Sequence, residues 1–173
     1  MGILRRLFGR KYVPSSELPY AANEGDDHSL PTRPSFHTST ATVVIYDLES
    51  LKHRLDDEVD WWADPQAELD EINARNLLIV GLGFDGFYDL DIIEEERDAA
   101  SYSLRFPSGK VFIGPGEALT GGGDEPDESC SGVFLNVTPG DYKVAVGRSD
   151  DQLRISVTRS VAFENAVFEP IRA

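Results

Sequence analysis

The sequence has few cysteines and few basic residues. Of its 173 residues only Cys130 is a cysteine, so an internal disulfide is excluded and a reducing compartment is favoured. Lysine and arginine number 16 against 31 acidic residues, and the formal net charge is −15. This charge opposes binding to nucleic acid or to an anionic membrane surface, and it favours a basic partner.

Long apolar runs are missing as well. No stretch approaches the roughly 18 apolar residues of a membrane-spanning helix. Residues 1–11 contain two consecutive arginines, but Pro14 and Ser15 follow where a signal peptide needs an apolar region. We therefore expect no signal peptide, no membrane span and a cytoplasmic location.

Residues typical of catalytic and metal sites are scarce. The three histidines, His28, His37 and His53, have no spacing that pairs them as metal ligands on one helix. Acidic neighbours of Cys130 oppose formation of a thiolate, and no serine-nucleophile motif is present. We predict no catalytic residue, no cofactor and no metal, so the protein is not expected to be an enzyme.

Residues 81–86, GLGFDG, match the glycine pattern of a dinucleotide-binding loop. That function requires a helix after the pattern, because the helix N-terminus holds the pyrophosphate. Residues 87–93 instead resemble a strand, and Asp85-Gly86 is a preferred hairpin turn. The sequence therefore predicts a β-hairpin here and no nucleotide site.

Residues 101–148 show the clearest periodicity. Apolar residues alternate in four runs that are separated by turn residues and by one long loop, residues 114–131, which predicts an antiparallel meander. Asp47 and the pair Asp64-Pro65 predict the starts of two helices. The predicted fold class is α+β, mainly β: an antiparallel sandwich or open barrel of about eight strands, with two helices inserted after the first strand.

Residues 1–39 differ from the rest of the chain. Four basic residues precede a stretch rich in proline and serine, which predicts a flexible arm over 1–39 and a single mainly-β domain over 40–173. Residues 1–12 are expected either to fray or to form a basic amphipathic segment that docks to a partner.

Acidic residues are concentrated in three stretches, residues 47–71, residues 85–98 with seven acids, and residues 124–128. Residues 124–128 contain four acids, which fit a solvated mobile loop or a binding surface better than a calcium site, because EF-hand spacing is missing. Residues 47–71 contain ten acids, which form either a solvated face or a surface that recognises a basic protein. Two tryptophans lie among them, and at least one is expected in the core. The predicted partner-binding residues are Asp56, Asp57, Glu58, Asp60, Trp61, Trp62 and Asp64.

Several motifs resemble an uncharacterised bacterial family, a domain of unknown function. They are YDLESLKHRL at 46–55 with DWW at 60–62, and PSGKVFIGPGE at 107–117 with TGGG at 120–123. The resemblance covers roughly residues 40–157 and supplies no catalytic residues. It implies a small bacterial cytosolic domain of a kind that often neutralises a toxin.

Charge and resemblance together predict a non-enzymatic, acidic protein-binding domain, with a toxin-neutralising immunity protein as its specific form. The expected partner is a basic protein, such as a toxin domain. The alternative is an accessory or structural component of a larger bacterial assembly, docked through its N-terminal arm.

Overall fold

A computed structural model of the protein describes residues 33–97 and 99–173. One α-helix, α1 (Pro65–Asn73), and three 3₁₀-helices (Leu48–Arg54, Trp61–Ala63 and Gly116–Ala118) lie in these ranges. The strands in the same ranges are β1 (Ser35–Thr38), β2 (Thr42–Asp47), β3 (Leu77–Gly81), β4 (Gly86–Ile93), β5 (Ser101–Phe106), β6 (Lys110–Pro115), β7 (Val133–Asn136), β8 (Gly140–Ser149) and β9 (Gln152–Arg159). No helix in the described ranges is long and apolar enough to cross a membrane.

The strands form two sheets with the orders β1-β4-β9-β8-β5 and β3-β2-β6-β7. Neighbouring strands are antiparallel except β4 and β9, which pair in parallel. The predicted mainly-β sandwich of the α+β class is thereby confirmed, and neither sheet closes into a barrel.

The four-stranded sheet is buried on both faces. In β2, Val43 and Ile45 belong to the cluster between the sheets, whereas Val44 and Tyr46 belong to a second cluster on the opposite face. That second cluster is covered by the helical segment, residues 48–73, and by the long loop, residues 114–131, through side chains such as Trp61. Burial on both faces explains why β2 and β3 are continuous apolar runs rather than alternating ones.

The predicted hairpin and the predicted meander are wrong. Strands β3 and β4 lie in different sheets, so residues 82–85 connect the sheets instead of closing a hairpin. Likewise β5 pairs with β8, while β6 pairs with β2 and β7. Turn residues indicate where the chain reverses, but they do not determine which sheet the next strand joins. The residues after the glycine pattern do form a strand, β4, and not the helix that a nucleotide site requires.

Strand β1 lies within the segment that the sequence analysis assigned to the arm. Phe36 is buried against Tyr88 of β4, with ring centroids 6.0 Å apart. Four residues are too few for a reliable periodic pattern, which is why this strand was missed. The two predicted helical segments consequently follow the second strand. The helix proposed for residues 1–12 lies outside the described residues.

Asp47 connects the helical segment to the β5–β6 turn. Its buried carboxylate accepts hydrogen bonds from the Glu49 amide at 2.9 Å, as the predicted cap requires, and from the Ser108 and Gly109 amides at 3.0 and 2.7 Å. The Ser108 hydroxyl donates a further bond of 2.7 Å. One side chain therefore serves a helix start and a turn that are 61 residues apart.

Residues 160–173 cross from one sheet to the other. The Asn165 side chain imitates a strand peptide, because it accepts from the Ser103 amide and donates to the Ser103 carbonyl, each at 2.8 Å. Further along, the Gly81 amide donates to the Ile171 carbonyl at 2.8 Å. This segment therefore covers the outer edges of β5 and β3.

Candidate functional site

The predicted partner-binding residues lie on the segment that joins the first 3₁₀-helix to α1. Asp56, Glu58, Asp60 and Asp64 are exposed, and Asp57 is half-buried. Asp64 caps α1 by accepting from the Gln66 amide at 3.0 Å, as its position before proline predicted. The acidic side chains therefore surround a short connection that packs on the second cluster.

The long loop is fixed against this connection by backbone hydrogen bonds. The Gly122 amide donates to the Asp57 carbonyl and the Gly123 amide to the Leu55 carbonyl, both at 2.7 Å. Gly122 has a φ of +64°, and a Cβ there would collide with Val59. The glycines thus allow a close contact that the sequence analysis did not anticipate.

Thr120 joins the loop to the buried core. Its carbonyl accepts from the Trp61 indole nitrogen at 2.8 Å, and its hydroxyl lies 3.1 Å from the Tyr46 hydroxyl. Burial raises the pKa of Tyr46 and keeps this phenol neutral. The conformation of the loop is therefore determined by the sheet beneath it.

The two segments together form what we call the acidic face. Its carboxylates, all exposed apart from the half-buried Asp57, are those of Asp56, Asp57, Glu58, Asp60, Asp64, Asp124, Glu125, Asp127 and Glu128. An apolar side chain, Val59, lies between the segments and is 57% exposed. Beside it is a cavity of about 200 Å³, lined in part by Asp124, Glu125 and Cys130.

The cations beside the acidic face already have acidic partners. Lys52 lies 2.6 Å from Glu49, and Arg54 contacts both Asp57 and Glu71 at 2.8 Å. Within the described ranges, no ion pair involves the other carboxylates of the acidic face. The face consequently keeps most of its negative charge.

Glu71 is hydrogen-bonded to three side chains next to the acidic face. Its carboxylate is buried and accepts hydrogen bonds from Arg54 Nε and His53 Nε2 at 2.8 Å and from Asn76 Nδ2 at 2.7 Å. The Arg54 guanidinium also lies 4.6 Å from the centre of the Trp61 ring. No sequence pattern links His53 to Glu71, because they are 18 residues apart and lie on different helices.

The two tryptophans have different environments. Trp61 is 8% exposed, which agrees with the expectation that at least one of the pair is in the core. Trp62 is half-buried at the border of the second cluster. Of the two tryptophans, only Trp62 therefore offers substantial aromatic surface to a partner.

The described residues contain no group of three histidine, cysteine or acidic side chains placed to hold a metal ion. Cys130 is half-buried, and its sulfur lies 3.9 Å from an Asp127 carboxylate oxygen. What the acidic face can do chemically is attract positive charge and bury a small apolar surface.

Glu117 connects the long loop to the β1–β2 turn. Its carboxylate accepts from the Ser39 amide at 2.7 Å, from the Thr40 hydroxyl at 2.8 Å and from the Thr38 hydroxyl at 3.0 Å. Burial by itself raises the pKa of Glu117, but these hydrogen bonds outweigh it and lower the pKa. The pKa of Glu71 is also lowered, because the effect of its burial is outweighed by the hydrogen bonds from Asn76, His53 and Arg54.

We expect these two carboxylates to make the protein less stable in acid. A group with a lowered folded-state pKa contributes stability above its unfolded pKa, about 4.3 for glutamate, and loses it as pH falls through the folded pKa. Urea unfolding between pH 7 and pH 3 should therefore show a declining free energy of unfolding. The Glu117→Gln variant should decline less steeply, and an unchanged slope would contradict the assignment.

No curated protein matches the chain. A solved structure described as Crocagin biosynthetic gene J is 14% identical, with a TM-score of 0.48 over 73% of this chain and 95% of that chain. ComJ from Bacillus subtilis, described as an inhibitor of the DNA-degrading activity of NucA, is 12% identical, with a TM-score of 0.45 over 75% and 96%.

Similarity to solved structures at these sequence identities and TM-scores carries no information about the function of this chain.

The sequence model of a family of unknown function, DUF6386, matches residues 31–173, which is most of the chain. This match confirms the resemblance to an uncharacterised domain that the motifs indicated. The chain belongs to the family of unknown function DUF6386.

Proposed function

We propose that this chain is a non-enzymatic domain that binds a basic protein through the acidic face. The observation that supports the proposal is the joining of two acidic segments around Val59 by hydrogen bonds from Gly122 and Gly123. An acidic stretch of sequence is often only a solvated surface. Two such stretches fixed side by side, with the neighbouring cations already paired, make a surface suited to recognition.

The physical basis is charge complementarity followed by limited apolar burial. A concentrated negative field accelerates encounter with a positive surface and rejects acidic competitors. Val59 and the exposed part of Trp62 provide apolar contact area. Because the backbone of both segments is already hydrogen-bonded, binding orders little additional chain, which lowers its entropic cost.

The specific form that we propose is an immunity protein that neutralises a basic toxin domain. A stoichiometric inhibitor needs no catalytic group, and it works by covering the surface that the toxin uses. A toxin that acts on nucleic acid needs positive charge for its substrate, so an acidic face competes directly with that substrate.

The test is a pull-down from the cytosol of the source organism at low and high salt, followed by calorimetry with the recovered protein. We expect a basic partner whose binding weakens as salt rises. Replacing Asp56 and Glu58 together by lysine should weaken binding by about tenfold or more, since close charge pairs at interfaces contribute more than about 1.4 kcal/mol.

The matched control replaces Glu164 and Glu169 by lysine. Both side chains are exposed on the C-terminal segment, and the change in net charge is identical. Binding should be nearly unchanged in this control. Equal losses in the two double variants would mean that only net charge matters, and no loss in either would rule out the acidic face.

A further inference from the structure

The orders of the two sheets leave four edge strands, β1 and β5 in one sheet and β3 and β7 in the other. An edge strand presents unpaired backbone N–H and C=O groups, which readily pair with another extended chain. Natural proteins therefore cover, shorten or charge their edges. Strands β3, β5 and β7 differ in how this is done.

Two of these edges are covered by the chain itself. On β5, Ser103 pairs with the Asn165 side chain, and the Arg105 amide donates to the Arg75 carbonyl at 2.9 Å. On β3, Gly81 pairs with the C-terminal residues, donating to Ile171 and accepting from the Ala173 amide at 3.1 Å.

The outer edge of β7 is different. The Val137 amide donates to the Gly109 carbonyl of the β5–β6 turn at 2.9 Å, and antiparallel pairs alternate between bonded and non-bonded. Leu135 therefore directs its backbone groups toward β6, whereas Phe134 and Asn136 direct theirs away from the sheet. In the part of the chain that the structure describes, no hydrogen bond reaches the outward backbone groups of these two residues.

Strand β7 also lacks the usual protection against pairing. Its sequence, Val-Phe-Leu-Asn, contains no charge and no proline, and its three apolar side chains are only half-buried. Leu135 packs on the cluster between the sheets, and Phe134 packs on the second cluster with its ring 5.2 Å from that of Phe112. A strand added to β7 would place its side chains alternately beside these two clusters, so its apolar side chains would extend one of them.

The acidic face lies close to the outer edge of β7. Cys130 lines the same cavity as Val59, Asp124 and Glu125, and it precedes Val133 by three residues, which span at most about 11 Å. A second copy is a poor occupant of the edge, because each copy carries a net charge of −15 and pairing two β7 strands would bring two acidic loops together.

We propose that β7 accepts an extended segment of the basic partner as a fifth strand of the four-stranded sheet. This inference rests on the proposed function and specifies how the partner binds. The added segment alternates apolar and basic residues. Its backbone pairs with Phe134 and Asn136, while its basic side chains lie near the acidic loop that precedes β7.

The experiment measures amide hydrogen exchange of the full chain by NMR, with and without a blocked ten-residue peptide that alternates lysine and valine. In the free protein the amides of Phe134 and Asn136 should exchange faster than that of Leu135. Saturation with the peptide should protect both outward amides.

Two further changes separate strand addition from charge attraction. Asn136→Pro removes one outward N–H at an edge position that tolerates proline, and it should weaken peptide binding by about tenfold or more. Asn136→Ala keeps that N–H and should alter the affinity by no more than about twofold. A peptide whose backbone is N-methylated at every residue keeps its charge but loses all of its backbone donors. It should bind to the unchanged protein about as weakly as the parent peptide binds to Asn136→Pro.

Other outcomes overturn the inference in identifiable ways. If both outward amides are already protected without peptide, the edge is occupied by this chain or by a second copy, and concentration dependence distinguishes the two. If the peptide leaves both amides unprotected, strand addition is wrong. If binding survives Asn136→Pro and N-methylation but is lost when Asp56 and Glu58 become lysine, the proposed function stands and only strand addition fails.

Discussion

Replacing Asp47 by alanine is expected to lower the free energy of unfolding by about 3–4 kcal/mol, because several buried hydrogen-bond donors then lose their acceptor at about 1–3 kcal/mol each before relaxation. The carboxylate is fully buried and accepts from the amides of Glu49, Ser108 and Gly109. A buried amide without a partner is costly, since water cannot replace the lost acceptor. The loss should therefore exceed that of an ordinary helix cap, which is about 1 kcal/mol.

Urea unfolding followed by tryptophan fluorescence measures this effect. Ser108→Ala is the matched control. It removes the 2.7 Å hydroxyl bond to Asp47, and the 3.1 Å bond that this hydroxyl accepts from the Lys110 amide, but it leaves the three amide bonds to Asp47 in place. We expect this control to lose about 1 kcal/mol. If Asp47→Ala were no more destabilising than Ser108→Ala, the turn would not depend on the carboxylate.

Asp47 also illustrates how far sequence reasoning reaches. Its capping role was predicted because the cap and the helix are adjacent in the chain, and Asp64 before Pro65 was predicted for the same reason. Its bonds to Ser108 and Gly109 could not be predicted, because they depend on β2 and β6 being neighbours in the sheet. A helix cap can therefore be predicted from neighbouring residues, whereas the pairing of strands that are distant in the chain cannot.

The strands show the same limit. The positions of β3 and β4 were predicted correctly in outline, but the turn between them was interpreted as a hairpin, and the two strands lie in different sheets. Their burial patterns differ, since β3 is apolar on both faces and β4 alternates. This difference in burial indicates that the two strands belong to different sheets. A strand buried on both faces lies in the sheet that is covered on both sides, whereas an alternating strand lies in a sheet with one exposed face.

The sequence indicates which acidic residues lie near one another in the chain, but not how they are brought together with the long loop in the acidic face. The acids of residues 56–64 were identified from charge and from their position beside Trp61 and Trp62. The contact with the long loop depends on backbone bonds from Gly122 and Gly123, and glycine-rich sequence alone indicates only conformational freedom. The sequence therefore gives no sign that the loop and residues 56–64 lie side by side.

Substitution of the two tryptophans by alanine should separate folding from binding. Trp61→Ala removes a buried ring that bonds to Thr120 and contacts Arg54, and it should cost about 3–5 kcal/mol of unfolding free energy. Trp62 is half-buried, so Trp62→Ala should cost only about 1 kcal/mol. If Trp62 is the aromatic anchor of the acidic face, its loss should weaken partner binding by about tenfold or more.

Trp61→Phe refines this comparison. It keeps most of the ring volume and loses the 2.8 Å bond from the indole nitrogen to the Thr120 carbonyl, so it should cost less than Trp61→Ala and still loosen residues 120–124. Faster amide exchange at Gly122 and Gly123 would report that loosening, because their bonds join the loop to residues 55–57. Partner binding should then weaken in Trp61→Phe through loss of loop order, and in Trp62→Ala without any change in exchange at these glycines. If both variants weakened binding with identical exchange behaviour, the separation between a supporting and a contacting tryptophan would be wrong.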